Sequence, residues 1–215
     1  MKLKWLSLLA LGGALSMPAV AQLALDDEPP VEEPKTKKLE LGSTVPESLS
    51  LTSLDGERAS FKGMRGKVVI VHFWSDRCPA EKHADPVFKR LEGYYKEKDV
   101  VLIGIASNQN ELGAKPGEGD DYADFYGNLR KKRDEVGHTH AIYVDHGNEL
   151  SDLFQARTTP HCYVIDAKGV LRYEGALDDD PRGQKGEAAT IYVKDAADAL
   201  LGGKEVTVTS TKPYG

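Results

Sequence analysis

The run Lys-Val-Val-Ile-Val-His-Phe-Trp at residues 67–74 is almost unbroken in its apolar, β-branched character. It predicts a strand covered on both faces, as in a mainly parallel sheet. Residues 100–105, Val-Val-Leu-Ile-Gly-Ile, form a second such run. Between them Val87, Leu91 and Tyr94 or Tyr95 recur at helical spacing and predict a helix over 79–98, so the three pieces form a right-handed βαβ unit. Ahead of it, Leu49-Ser50-Leu51-Thr52 alternates apolar and polar residues. The Asp55-Gly56 pair and a return through Ala59 and Phe61 complete a hairpin signal.

Beyond the second strand, 108–119 is Gly-rich and reads as loop, and 120–136 reads as a helix whose run Arg130-Lys131-Lys132-Arg133 forms a solvated face. A strand at 141–145 and a short helix at 149–156 follow. Strands at 162–166 and 170–173 are joined at Ala167-Lys168-Gly169 as a hairpin, which adds an antiparallel side to the sheet. The last helix, 188–201, offers Ile191, Ala196, Ala199 and Leu200 to the core, and Gly202-Gly203 stops it. This order predicts an α/β three-layer sandwich: a mixed central sheet, helices on both faces and an N-terminal β-hairpin extension.

The N-terminal pattern stands apart. Lys2 and Lys4 precede a short apolar stretch, and Ala19-Val20-Ala21 is a small-residue cleavage site. Residues 1–21 therefore read as a signal peptide rather than a membrane anchor, because a span needs about 20 apolar residues. Residues 22–40, with Asp26-Asp27-Glu28-Pro29-Pro30, read as an acidic, Pro-rich linker, and 41–215 as the folded domain. The expected site of action is the periplasm or the outside of the cell, a compartment that permits disulfides. The chain of 215 residues carries a formal net charge of -6. Cleavage at residue 21 leaves 26 basic against 34 acidic residues, a net of -8. Such a balance excludes the basic footprint of a nucleic-acid binder, and no membrane span remains after cleavage.

The two cysteines, Cys78 and Cys162, are too few to staple a fold. In Phe73-Trp74-Ser75-Asp76-Arg77-Cys78-Pro79-Ala80-Glu81 a buried strand ends and a cysteine sits where the next helix begins. Pro79 suits a first helical turn. The free N–H groups and partial positive charge of a helix start favour thiolate, the reactive form.

The stretch Phe73-Trp74 through Cys78-Pro79 resembles the active-site entrance of thioredoxin-like proteins. Pro86 matches the proline those proteins carry in the same helix. Thr158-Thr159-Pro160, ahead of a strand, resembles their cis-proline loop, which implies a cis Thr159-Pro160 bond beside the Cys78 sulfur. Within that group the chain is most similar to the redoxin branch, the alkyl hydroperoxide reductase and thiol-specific antioxidant family. This resemblance rests on the Asp55-Gly56 hairpin leading into Gly66-Lys67-Val68-Val69, on Cys78-Pro79 with no second cysteine following, and on Tyr173-Glu174-Gly175-Ala176-Leu177-Asp178-Asp179. It rests also on the segment from Ala199 to Lys212-Pro213-Tyr214-Gly215, which is similar to an exported bacterial subgroup. Members of that subgroup continue past this ending with a further cysteine. Two departures bear on the chemistry. Glu81 stands where a thioredoxin has its second cysteine, which excludes ordinary two-cysteine exchange at this motif. Val71 and Ser75 replace the proline and threonine of the peroxidase pattern P-x-x-x-T-x-x-C.

The resemblance implies an envelope thiol-dependent oxidoreductase that uses Cys78 as nucleophile, by peroxide reduction or thiol–disulfide exchange. Ser75, Thr159 and Pro160 would complete the catalytic set, and Phe73, Trp74 and Pro79 would form the substrate approach. Cys162 either resolves an oxidised Cys78 or packs in the core. His161 either edges the site or starts a surface strand. Glu81 either relays a proton or merely opposes thiolate. An external thiol or thioredoxin-like reductant would regenerate the protein, and no cofactor is implied. The contrasting readings are a non-catalytic binding module using the same groove, and a metal carrier. For the carrier, His138, His140 and His146 cluster in sequence but show no usual ligand spacing, and Cys78 with His161 is a further pair. Asp178-Asp179-Asp180 reads as a solvated loop.

Overall fold

The computed structural model describes residues 38–215; the expected signal peptide and nearly all of the expected linker lie outside the described residues. Leu39 is already buried and donates its N–H to Leu153 O at 2.8 Å, so packing begins ahead of residue 41.

The elements are β1 (Ser50–Thr52), β2 (Arg58–Ser60), β3 (Val68–Phe73), α1 (Glu81–Tyr95), β4 (Val100–Ala106), α2 (Gln109–Leu112), α3 (Gly127–Val136), β5 (Ala141–Val144), α4 (Glu149–Phe154), β6 (His161–Ile165), β7 (Leu171–Gly175) and α5 (Tyr192–Leu201). β1 and β2 pair as the predicted hairpin. The main sheet has the order β5-β4-β3-β6-β7. β3 is central, parallel to β4 and antiparallel to β6, while β4 and β5 are parallel and β6 and β7 antiparallel.

Strand alternation sorts the core into two layers. Val69, Val71 and Phe73 face one side with Tyr163, Ile165 and the α4 residues Leu153 and Phe154. Val68 and Ile70 face the other with Cys162 and Val164, covered by Val87, Phe88 and Leu91 of α1 and Val193, Ala196 and Ala197 of α5. His72 shares the alternation of Val68 and Ile70, so it is fully buried and stacks on Phe88 with ring centroids 3.8 Å apart.

Several expectations are corrected. The predicted helix at 120–136 is broken, with a 3-10 turn at Tyr122–Asp124 and a left-handed Tyr126 (φ 59°) preceding α3. Its basic run is not simply solvated. Arg130 and Arg133 reach Asp55 in the hairpin turn, and Lys132 Nζ pairs with buried Asp85 at 2.7 Å. Only Lys131 keeps to the surface role, reaching Glu135. The predicted loop at 108–119 contains α2. The last helix starts later than residue 188 because the chain first makes a 3-10 turn at Gly186–Ala188, and Val193 and Ala197 bury instead of Ala199. In the acidic triplet, Asp178 and Asp180 are buried. Asp180 accepts the N–H groups of Gln184 and Lys185, and Asp178 accepts from Tyr214 Oη at 2.5 Å.

The C-terminal segment lies along β7. Glu174 accepts Thr211 N–H and donates to Thr209 O, and Thr211 Oγ1 accepts from Ala176 N–H at 2.9 Å. Gly175 (φ 142°) permits this approach, since a Cβ there would sit 2.3 Å from Thr211 Oγ1. Gly175→Ala is therefore expected to displace the segment and cost about 1–3 kcal/mol, measured by denaturant unfolding. An unchanged midpoint would show that the contact is dispensable.

Candidate active site

The site forms at the C-terminal ends of β3, β4 and β5, where open α/β sheets place their ligand crevices. Trp74 N–H is still tied to Ile105 O at 2.8 Å, so the chain leaves the sheet only at Ser75. The buried Ser75 hydroxyl folds the loop. It accepts the N–H groups of Cys78 (3.0 Å) and Arg77 (3.2 Å) and donates to Glu111 Oε1 at 2.7 Å. Glu111 Oε2 accepts Asp76 N–H at 3.2 Å. Burial and this neighbouring carboxylate push Asp76 up to about 6. Ser75 thus spends its proton on Glu111 and positions the loop.

Cys78 is half-buried. Its carbonyl accepts Glu81 N–H at 3.1 Å, and the Pro79 carbonyl accepts Lys82 N–H at 3.2 Å. The first turn therefore begins at Cys78, although the regular helix is Glu81–Tyr95. Pro79, exposed, occupies the turn without losing an N–H. Among the described residues the sulfur's hydrogen-bond partner is a carbonyl, not an amide: Cys78 Sγ donates to Thr159 O at 2.8 Å. The Thr159–Pro160 bond is cis, as the resemblance implies. The N–H groups of Cys78, Glu81 and Lys82 are all engaged elsewhere.

A cleft of about 390 Å³ opens beside this contact, lined by Phe73, Ser107, Asn108, Arg157, Thr158 and Thr159 together with Gly215. Phe73 thus lines this cleft. Trp74 does not: its ring is fully buried with Leu54, Leu112 and Leu129, and its Nε1 donates to Asp85 Oδ1 at 3.0 Å.

Behind the sulfur lies an unusual carboxyl. Glu81 is 1% exposed, and neither oxygen makes a hydrogen bond. Burial raises its carboxyl well above the ordinary range, and Asp85 and Cys78 add to the effect. The approach of Lys132 and of Ser75 N–H, the latter short of hydrogen-bond geometry, opposes it only in part.

Cys162 is fully buried on the α1/α5 side of β6 and is a free thiol. Burial pushes it well above its ordinary value, with Glu81 and Asp178 contributing. His161 is buried, not a surface residue. Its Nδ1 accepts from Tyr163 Oη at 2.9 Å and from Arg157 N–H at 3.3 Å. Burial, with Arg157 adding, lowers it to about 4. The expected trio of histidines divides. His146 meets Tyr126 Oη at 2.9 Å, whereas His138 and His140 converge on Glu92.

Sequence reasoning missed Glu111, the brace of the cysteine loop. Its signal was present: Asn108 stands three residues before it, a helix-start spacing, and Asn108 Nδ2 donates to Glu111 Oε1 at 2.9 Å. It missed Asp85 and Glu92 as partners of buried histidines, for which the sequence offers only their i, i+7 placement on one face of α1.

The chain is 27% identical over 121 residues to the thiol-disulfide oxidoreductase ResA of Halalkalibacterium halodurans, a match covering 56% of this chain and 60% of that protein. It is also 27% identical over 141 residues to ResA of Bacillus thuringiensis subsp. konkukian, covering 65% and 72% respectively. The matched segment thus spans about three fifths of the first relative's length. An uncharacterised conserved protein from Geobacillus kaustophilus superposes with a TM-score of 0.65 at 26% identity, over 83% of this chain and 96% of that one. Residues 41–174 match the AhpC/TSA family. With this match over more than half of its length, and with the thioredoxin-like sheet and cis-proline loop in place around Cys78, the chain belongs to the AhpC/TSA family.

Proposed function

We propose that the protein is an envelope thiol–disulfide oxidoreductase with a single reacting sulfur. The observation that carries this reading is the half-buried Cys78, whose sulfur donates to Thr159 O beside the cleft that Thr159 lines. Thiolate is the attacking species in exchange. Cys78 gives its proton to solvent and attacks one sulfur of a bound disulfide. A Cys78 mixed disulfide forms as the old S–S bond breaks, and the other sulfur leaves as thiolate. Glu81 lies behind the site as a carboxyl that burial keeps from ionising readily, which limits its opposition to the Cys78 thiolate. Arg157, Thr158 and Thr159 line the cleft, where a peptide disulfide would enter.

No second thiol is placed to displace the substrate from within. Cys162 is fully buried in the α1/α5 core and does not line the cleft, so an external thiol or thioredoxin-like reductant attacks the mixed disulfide and releases reduced Cys78. Exchange is favoured over peroxide reduction because the Ser75 hydroxyl is committed to Glu111 rather than to the sulfur. Action outside the cytoplasm rests on the leader pattern at 1–21. Among the described residues no helix is long and apolar enough to cross a membrane.

The test is incubation of the mature protein with oxidised glutathione, followed by intact-mass and peptide analysis. One glutathionyl group on Cys78, removed by added thiol, is expected. An unmodified Cys78, or modification confined to Cys162, would overturn the reading and favour a binding module.

A further inference from the structure

On the α1 side of the sheet, behind β3 and β4, lies a cluster that the thiol chemistry does not use. His138 and His140, two apart, lie in the short connection between α3 and β5. Both meet Glu92 in the last turns of α1. His138 Nδ1 lies 3.1 Å and His140 Nδ1 2.6 Å from Glu92 Oε1. The three side chains are 0%, 4% and 7% exposed, and one ligand atom from each lies within 4.8 Å of the others.

We propose that Glu92, His138 and His140 form a binding site for one divalent transition-metal cation of the zinc type, independent of Cys78. Two imidazole nitrogens and a carboxylate oxygen are a donor set suited to such an ion. The fourth position is left to water, next to exposed Thr139.

The nitrogens remote from Glu92 support this assignment. In metal sites a ligating histidine is held through its other ring nitrogen by a fixed partner. Here His138 Nε2 lies 3.1 Å from Asp85 Oδ1, itself anchored by Trp74 Nε1 and Lys132. His140 Nε2 lies 3.1 Å from His72 Nε2. His72 is fully buried and its Nδ1 has no partner. Gly104 makes room for these two rings, since a Cβ there would lie 3.2 Å from His72 Nε2 and 3.6 Å from His140 Nε2.

The arrangement of His138 is also explained. Both of its ring nitrogens face carboxylates, Nδ1 toward Glu92 and Nε2 toward Asp85. A cation at Nδ1 leaves one proton, directed to Asp85. Ligand spacing in a tetrahedral zinc site is about 3.3 Å for bonds of about 2.0–2.1 Å, so Glu92 and His140 must open by several tenths of an ångström. Lys89 Nζ (2.9 Å) and Thr139 Oγ1 (2.8 Å) donate to Glu92 Oε2, while Oε1 accepts Thr139 N–H at 3.0 Å and faces both histidines; Lys89 is thus the cation that opposes entry, and Oε1 is the oxygen an entering ion would share with the two rings. Occupancy would pin the end of α1 to the start of β5.

The test uses the tag-free full chain, stripped with chelator and titrated with Zn²⁺ by calorimetry, with Co²⁺ as a spectroscopic probe. One equivalent of zinc is expected. The cobalt visible spectrum should show nitrogen and oxygen ligands without a thiolate charge-transfer band, and Cys78→Ser should bind unchanged. Glu92→Gln and His140→Asn should each weaken binding at least about tenfold. Failure of the folded wild-type chain to take up stoichiometric zinc would overturn the proposal. So would a thiolate band, loss of binding in Cys78→Ser, or undiminished binding in both Glu92→Gln and His140→Asn. None of these readouts depends on exchange activity.

Discussion

Cys78→Ser is expected to lower the rate of disulfide exchange at least about a thousandfold, equivalent to roughly 4 kcal/mol of barrier, and to leave the melting temperature nearly unchanged. The serine oxygen can still donate to Thr159 O, so the loop geometry set by Ser75 and Glu111 survives while the nucleophile is lost. Cys162→Ala should keep the exchange rate within about threefold, because that sulfur lies inside the α1/α5 layer and is not on the cleft. The assay is reduction of a fluorogenic peptide disulfide with an external thiol as regenerant. If Cys162→Ala lost activity as Cys78→Ser does, an internal second thiol would be required and the single-sulfur scheme would fail.

The second large effect concerns Glu81. Its folded-state value is raised above the ordinary 4.5 of the unfolded chain. Folding therefore favours the protonated form, and the group's favourable contribution is complete below 4.5. That contribution is lost as pH rises toward and through the folded-state value. Glu81→Gln keeps the shape and cannot ionise. Wild type and variant should be about equally stable near pH 4, and the variant should pull ahead as pH rises. By pH 8 the gain should reach about 1–3 kcal/mol, the usual penalty of an unsatisfied buried polar group. That corresponds to roughly 2–12 °C in melting temperature for a chain of this size. Denaturant unfolding of both proteins across this range isolates Glu81, because other titrating groups, such as Asp76, are common to the two. Parallel stability curves would show that Glu81 finds a partner in solution. The same carboxyl opposes a thiolate at Cys78, so the variant should also exchange faster at alkaline pH.

The strands were legible because burial on both faces writes itself as continuous apolar sequence, as in 67–74 and 100–105. The cysteine loop was legible because Cys78-Pro79 marks a strand-to-helix junction. What escaped depends on tertiary partners. Arg130, Lys132 and Arg133 look like a solvated face until Asp55 and Asp85 are brought to them across more than forty residues. Trp74 follows Phe73 in sequence, but alternation sends it inward, and Asp85 makes that burial tolerable by accepting its N–H. Asp178 and Asp180 read as surface charges because their compensation comes from local N–H groups and from Tyr214, which a linear pattern does not reveal. Glu81 was visible only as the residue in place of a cysteine. Its isolation required knowing what α1 rests upon.

The burial of Cys162 away from the cleft has a consequence for the protein's place in a redox circuit. A protein with a vicinal dithiol carries its own midpoint potential and can hold an electron pair until a partner arrives. In the proposed scheme, with one reachable sulfur, exchange oxidation of this chain includes a molecule from outside, so its poise is set by the ambient ratio of thiol to disulfide. Under the proposed exchange it relays electrons without storing them, and its oxidised fraction should therefore follow the ratio of small disulfide to thiol alone and stay constant when both are diluted together, whereas that of a dithiol protein would shift.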